Sequence, residues 1–232
     1  MEARTTTCAA SGHPEFLLRC DSPLVPPDDV KVLVSFLENS VSSGTKYNPG
    51  ETIQIGWIFA QVFDRGRGLL GIEEPDFQSV PIRWRDSVDR TLLHLRRQSD
   101  VAESVGLLPE IDFPPIGSSA IVCSRYATGR GFGMRRLPSQ EPRDSGWFVG
   151  CLDATHDHDN PRRLSRLSLY QLVLNRPQAM PFIALPAGCA AIVDADEQLA
   201  ILRGEDEAIE FGEGSYLAEM MRKHGRFVAP EL

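Results

Sequence analysis

The chain has 232 residues, a hydrophobic content of 42%, a charged content of 24% and a formal net charge of −8. These values are typical of a globular protein with one large domain or two small ones. No run of about 18 apolar residues is present, which argues against a membrane span. The acidic balance argues against direct binding of nucleic acid, because such binding needs cations that displace phosphate counterions.

The acidic excess lies in residues 1–110 and 201–232, whereas residues 111–200 hold equal numbers of basic and acidic side chains. An acidic protein suits a basic protein partner, such as a nuclease, because opposite charge speeds their encounter. Solubility alone is the simpler explanation of this charge, and we favour it over a basic partner. No export signal is recognisable at the N-terminus, so we expect a cytoplasmic protein with reduced, partly buried cysteines.

The first predicted unit covers residues 14–110 and follows a Thr- and Ala-rich segment, residues 1–13, that we expect to be disordered. Apolar spacing, helix-start signals and turn residues define its elements. In chain order they are a helix at Val30–Val41, a long strand at Glu51–Phe63, a hairpin turn at Arg65–Gly68, an exposed acidic turn at Glu73–Asp76 and a helix at Asp86–Val105.

Pro109, Pro114 and Pro115 predict a linker to a second unit over residues 111–200, and residues 201–232 form a predicted C-terminal tail. The predicted elements of this unit and tail are strands at Ser118–Ser124, Met134–Leu137, Asp144–Cys151 and Cys189–Val193, and helices at Leu164–Leu174 and Ser215–His224. The chain is therefore expected to have an α+β fold with two small α/β units, each a mostly antiparallel sheet with flanking helices.

His156 and His158 form the only pattern that resembles a metal site, because alternate residues on a strand point to the same side. Cys151 or a distant carboxylate is the candidate that could complete it. However, the Asp, Asn and Pro residues around the histidines indicate a loop, and the sequence offers no second cluster of ligands. We therefore expect no metal and no other cofactor, and a metal-dependent hydrolase using these histidines remains an alternative.

The sequence offers no convincing catalytic set. A Gly-x-Ser-x-Gly elbow is absent, and a pairing of Cys151 with the neighbouring histidines is outweighed by the usual packing role of a strand cysteine. The Gly-rich run Gly129–Gly133 lacks the following helix that a phosphate-binding loop needs, and it is interpreted as a hairpin turn. We expect a protein without enzymatic activity.

The run Asp144-Ser145-Gly146-Trp147 is the most informative motif. Asp and Ser side chains bond the backbone two residues on, and Gly tolerates positive φ, so the motif predicts a turn that starts a strand. With its neighbours, this motif resembles the immunity-protein domain found beside toxins in bacterial polymorphic-toxin and type VI secretion loci. The supporting segments are Ser119–Arg125, Gly133–Pro142, Asp159–Pro161, Asn175–Pro177 and Leu185–Gly188.

The resemblance covers about residues 117–197, and Gly50–Trp57 with Glu74–Phe77 resemble a region often joined to that domain. It implies an inhibitor that binds and neutralises a cognate toxin in the producing cell, with a basic nuclease as the preferred target. An adaptor or chaperone for a secreted effector is the alternative. The candidate toxin contacts are Asp153, Asp157 and Asp159, or Glu205, Asp206 and Glu207 in the tail. The family places a compact acidic cluster after the Trp, whereas here Gly150–Asp153 leads into a loop with histidines.

Overall fold

A computed structural model describes residues 1–204 and 206–228. The chain divides into two compact units, Met1–Leu95 and Arg96–Leu232. The division falls within a helix and lies ahead of the prolines at which the sequence predicts a linker. Each unit contains a mixed, mostly antiparallel sheet with helices, so the predicted α+β class is confirmed.

The first unit is built on a six-stranded sheet in which β1-β2-β5-β4-β3 are neighbours and β6 pairs with β5. Its elements are β1 (Glu2–Arg4), β2 (Glu15–Arg19), α1 (Pro27–Ser42), β3 (Thr52–Ile55), β4 (Ile58–Gly66), β5 (Leu69–Pro75), β6 (Trp84–Arg85) and α2 (Asp89–Ser104). Helix α1 buries Val30, Leu33, Leu37 and Val41, which are the residues at helical spacing in the sequence.

Two parts of the first unit differ from the sequence-based expectation. The predicted long strand is a hairpin of β3 and β4, because Gly56 has a positive φ of 58° and reverses the chain beside Trp57. The segment for which the sequence predicts disorder, residues 1–13, contains β1, which pairs with β2. The Thr5 hydroxyl donates to the Glu15 carboxylate (2.5 Å), and its oxygen accepts from the Phe16 amide (2.7 Å). These bonds anchor the segment.

The exposed acidic turn predicted at residues 73–76 is not observed, because residues 73–75 are the end of β5 and Glu74 is completely buried. Its carboxylate accepts hydrogen bonds from the amides of Arg90 (3.0 Å) and Thr91 (2.7 Å) and from the Thr91 hydroxyl (2.8 Å). Burial raises the pKa of Glu74 to about 7, although these hydrogen bonds oppose the change. Glu74 therefore satisfies the amides at the start of α2, where a helix has no internal acceptors.

The second unit is built on a seven-stranded sheet with the order β10-β7-β9-β8-β11-β12-β13. Its elements after α2 are β7 (Ser119–Cys123), β8 (Phe132–Arg136), β9 (Asp144–Cys151), β10 (Leu164–Ser168), α3 (Leu169–Asn175), β11 (Cys189–Val193), β12 (Leu199–Arg203), β13 (Glu207–Ile209) and α4 (Tyr216–His224). Strand β9 lies parallel to β7 and antiparallel to β8.

Three predictions for the second unit need correction. The predicted helix Leu164–Leu174 is strand β10 followed by α3, because the Ser168 side chain accepts from the Gln171 amide and starts the helix there. The run Gly129–Gly133 is not a hairpin turn, since β7 and β8 both border β9. Residues 201–232, expected to be a tail with one helix, also contribute the end of β12 and all of β13. The helix predicted at Ser215–His224 is α4, and it buries Leu217 and Met220.

Alternate residues of β9 face opposite sides of the sheet. Ser145, Trp147 and Val149 are buried on the inner side, whereas Asp144 and Phe148 are partly exposed on the outer side. On the inner side, Trp147 donates to the carbonyl of Ile183, which directly follows the largely buried 3-10 helix Pro177–Phe182. Helix α3, which is also largely buried, contacts β7, the neighbour of β9. None of the described helices has both the length and the apolar character needed to cross a membrane.

Candidate functional site

The Asp-Ser-Gly-Trp motif forms the first four residues of β9, where the pairing with β7 is irregular. The turn that the sequence predicts at the motif lies just before it, and is closed by the Asp144 amide donating to the Glu141 carbonyl. Asp144 accepts a hydrogen bond from the Gly146 amide (3.1 Å), and the Ser145 hydroxyl donates to the Ser119 carbonyl at the start of β7 (2.7 Å). Gly146 has a φ of 75°, and a Cβ at this position would lie 2.0 Å from the Leu137 carbonyl oxygen. The motif thus fixes how β9 begins between β7 and β8.

Trp147, the last residue of the motif, packs into the core. The side chain is 1% exposed, and its Nε1 donates to the Ile183 carbonyl (3.0 Å). The guanidinium of Arg136, on the neighbouring strand, lies 6.0 Å from the ring centroid. The last residue of the motif therefore acts through packing and one buried hydrogen bond, as its position at the start of a strand predicts.

Arg136 connects the motif to two other segments. Its Nε donates to the Ser145 carbonyl (3.0 Å), and its two terminal nitrogens donate to the Asp112 carbonyl (3.1 Å), the Asp112 carboxylate (2.7 Å) and the Leu185 carbonyl (2.8 Å). Burial lowers the pKa of Arg136, and the charge of Asp112 opposes this effect. Every one of these acceptors belongs to the second unit, so the network is a structural brace.

An open groove of about 460 Å³ runs along the outer side of β9. It extends from the motif to the loop after β9, so it brings together parts of the chain that the sequence singles out separately. Its lining includes Asp144, Trp147, Phe148, Leu137, His158 and Asp159. Leu137 is 55% exposed at the edge of this groove. The groove offers a partner an apolar floor with carboxylates at its ends.

The first set of candidate toxin contacts lies in the loop after β9. Asp153 is half-buried, accepts from the Arg125 guanidinium (2.6 Å), and caps the turn at Thr155. These bonds lower the pKa of Asp153, with those from Thr155 contributing most. Asp157 and Asp159 are exposed. Two of the three carboxylates are thus presented to solvent, while the third organises the loop.

The second set lies in the turn between β12 and β13. Asp206 and Glu207 are exposed, Asp206 forms an ion pair with Arg135, and Glu205 lies outside the described residues. The strand register places this turn at the end of the sheet where β9 begins, whereas the loop after Cys151 is at the opposite end. With three strand spacings between β9 and β12, the two sets are on the order of 20 Å apart.

Arg176 lies against the Gly-rich run Gly129–Gly133. It donates to the carbonyls of Gly129 (2.6 Å) and Arg130 (2.8 Å) and stacks on Phe132 at 4.7 Å. Carbonyl oxygens rather than amides of the Gly run therefore point towards this side chain. The arrangement supports a structural role for the run and does not resemble an anion cradle.

Four cysteine and histidine side chains meet at the other end of β9. Cys123, Cys151, His156 and His158 each offer one ligand atom, and these atoms lie within 4.8 Å of one another. Cys151 Sγ is 3.1 Å from His156 Nδ1 and 3.5 Å from His158 Nε2. Burial raises the pKa of Cys123 and lowers that of His156. All five cysteines of the chain are free thiols, and their burial is more complete than the partial burial that the sequence predicts.

The sequence singles out three members of this cluster but misses Cys123, which lies 28 residues before Cys151. Each of the two cysteines is the last residue of its strand, and the strands are parallel neighbours. The pairing of β7 with β9 brings the Cys123 and Cys151 thiols together, and these are the second pair of candidate ligands that the sequence alone does not show. The sequence does show two predicted strands that each end near a cysteine. It does not show that these strands are parallel neighbours, and only that arrangement brings the two thiols together.

Comparison with known proteins gives one match. Residues 97–203 match the family model of the Imm33-like domain, a family named for immunity proteins. The match spans a little under half of the chain and includes the motif, the groove and the cysteine–histidine cluster. The family name suggests an immunity protein, and the resemblance predicted for residues 117–197 lies within the matched segment. Neither the curated proteins nor the solved structures gave a match.

Proposed function

We propose that this protein is an immunity protein that binds and neutralises a cognate antibacterial toxin in the cytoplasm of the producing cell. The observation that carries the proposal is the match of residues 97–203 to the Imm33-like domain. A toxin delivered by type VI secretion is the partner that we propose, and a nuclease is its preferred activity. An inhibitor of this kind needs a binding surface and no catalytic residues.

The groove along β9 is the surface that we propose for toxin binding. Phe148 and Leu137 expose apolar surface there, and aromatic and aliphatic side chains in a concave patch are typical anchors of protein interfaces. The groove lies wholly within the matched segment, whereas Asp206 and Glu207 lie beyond it. This difference favours the loop carboxylates over those of the β12–β13 turn.

Charge supports a basic partner. Asp157 and Asp159 are exposed beside the groove, and Asp144 borders it at the other end. A nuclease presents a basic surface to its nucleic-acid substrate, so carboxylates at the groove would speed its association with the inhibitor. Plugging of the toxin's active-site cleft is the mechanism that this arrangement suits.

Co-expression tests the proposed function. The gene next to that of this protein is expressed in a susceptible bacterium with and without the protein, and survival and genomic DNA integrity are scored. We expect rescue together with a stable complex that co-purifies, and intact DNA on rescue if the toxin is a nuclease. Continued killing despite good expression of this protein would refute immunity for that pair. Binding without loss of toxicity would support the adaptor alternative instead.

Two matched variants then locate the surface. We expect Asp157→Asn with Asp159→Asn to slow association with the toxin, and more strongly at low salt, because charged groups at an interface rim act mainly on the association rate. Asp206→Asn with Glu207→Gln removes the same charge at the other end of the sheet and serves as the control. An effect of the control pair alone would move the contact surface to the β12–β13 turn.

A further inference from the structure

The cysteine–histidine cluster at the end of β9 has the composition of a metal site. It combines two thiols and two imidazoles, and three of the four side chains are buried while His158 is half-buried. Soft thiolate and imidazole ligands in this combination select zinc over magnesium, calcium or manganese. Two thiolates also balance the charge of a divalent cation, so the buried site would be neutral when occupied.

We propose that Cys123, Cys151, His156 and His158 bind one zinc ion in tetrahedral geometry. Bond lengths of about 2.3 Å to sulfur and 2.0–2.1 Å to nitrogen place neighbouring ligand atoms about 3.3–3.8 Å apart in a tetrahedron. The distances from Cys151 Sγ to His156 Nδ1 and His158 Nε2, 3.1 Å and 3.5 Å, are close to the sulfur–nitrogen distance of about 3.5 Å that such geometry requires.

The geometry also assigns the ligand atom of each histidine. His156 Nδ1 faces Cys151 Sγ, while its Nε2 is 3.4 Å from the Ser124 hydroxyl. A ligating histidine usually uses its second nitrogen for such a hydrogen bond, which fixes the ring orientation. His158 instead presents Nε2 towards Cys151. Ser124 is therefore a positioning residue for His156.

The backbone leaves room for the second histidine. A Cβ at Gly150 would lie 3.2 Å from His158 Nε2 and 3.1 Å from Phe148 Cε1, which is tighter than ordinary contact. The φ of Gly150 lies outside the left-handed region, so space rather than backbone conformation explains the absence of a side chain there. Glycine at this position allows the His158 ring to pack over β9 and reach the cluster.

Four protein ligands leave no open position on a tetrahedral ion. Catalytic zinc sites keep one position for water or substrate, whereas structural sites are closed. The proposed ion therefore acts by tying the loop after β9 to the ends of β7 and β9, and not as the hydrolase considered from the sequence. Since Asp157 lies between the two histidine ligands, the ion would also hold one of the proposed toxin contacts in place.

Metal analysis of the purified full-length chain tests this proposal. Tag-free protein, prepared under reducing conditions without chelator, is measured for zinc by mass spectrometry, and its reduced apo form is titrated with Co²⁺. We expect about one zinc ion per chain and a cobalt spectrum with thiolate charge-transfer bands and the intense visible bands of a tetrahedral ion. Binding of the metal should release protons from the two thiols.

Variants identify the ligands. Cys151→Ser and His158→Gln should each lower zinc affinity by more than the 10–100-fold that loss of an outer-shell partner costs, and Ser124→Ala should lower it about 10-fold. Cys189→Ser and His224→Gln are the controls, because these residues lie in the same unit and outside the cluster. His158→Gln keeps the test informative if a buried cysteine variant does not fold.

Three results would overturn the proposal. The first is a reduced, folded chain that contains no zinc and gives no cobalt spectrum. The second is metal binding that Cys151→Ser and His158→Gln leave unchanged, since the ion would then lie elsewhere. The third is a disulfide between Cys123 and Cys151 in protein purified under reducing conditions, which peptide mapping without reductant would detect.

Discussion

Strand β9 begins in a network of hydrogen bonds and ends in a cluster of cysteines and histidines. At its start, Ser145 and Trp147 find partners within the protein, and Arg136 donates to carbonyls of three segments. At its end, Cys123 and Cys151 approach two imidazoles without comparable backbone partners for the rings. At the start of β9 the polar groups are satisfied by other groups of the protein, whereas at its end the proposed zinc ion completes the cluster. Stability at the start should therefore be independent of metal, and stability at the end should depend on it.

Arg136→Met should have the largest effect. It leaves the main-chain carbonyls of Ser145, Asp112 and Leu185 without their donor and should lower the free energy of unfolding by about 4 kcal/mol, because each buried acceptor left unpaired costs about 1–3 kcal/mol. Asp112→Asn is the control, because Asp112 is exposed and the main-chain acceptors of Arg136 remain. Urea denaturation measures both, and equal effects of the two would contradict a brace centred on Arg136.

Gly146→Ala should follow, with a loss of about 3 kcal/mol. A positive φ costs a non-glycine residue about 1 kcal/mol, and the contact of the new Cβ with the Leu137 carbonyl forces the backbone to move. Gly188→Ala separates the two causes, because Gly188 also has a positive φ, 89°, but a Cβ there meets nothing within 4 Å. Thermal unfolding of the two variants should differ clearly, and similar losses would show that the contact is relieved easily.

Gly150→Ala should have the smallest effect on stability and the clearest dependence on metal. The added methyl displaces His158, so we expect a 10–100-fold loss of zinc affinity and a change of less than about 1 kcal/mol in the chelated protein. Gly133→Ala, directly opposite in β8, contacts only the flexible Leu152 side chain at 3.4 Å and should bind zinc normally. Calorimetry with and without chelator makes the comparison, and identical zinc binding by both variants would argue against His158 as a ligand.

The sequence predicts the start of β9 far better than its end. The predicted strand Asp144–Cys151 is present with the same bounds, although the turn before it lies at residues 141–144 and not in the motif. The cluster depends on the placement of β7 beside β9, which a pattern of apolar residues does not specify. The apolar pattern also fails for residues 164–175, because the leucines there are compatible with both a strand and a helix. In the structure Ser168 caps α3, so the helix begins only after β10. The sequence therefore predicts features that depend on neighbouring residues, but not the pairing of strands that are distant in the chain.

Glu74 gives the first unit a proton linkage. Its pKa of about 7 exceeds the ordinary value of 4.5, so the folded chain retains a proton that the unfolded chain releases between these pH values. The contribution to stability is complete below about pH 4.5 and is lost as pH rises towards 7, a change of roughly 3 kcal/mol. Unfolding at pH 6 should therefore release a proton to the buffer, and the unfolding enthalpy should vary with the ionisation enthalpy of that buffer. In Glu74→Gln the dependence of the unfolding enthalpy on the buffer should become smaller. That result would show that Glu74 holds the proton that unfolding releases.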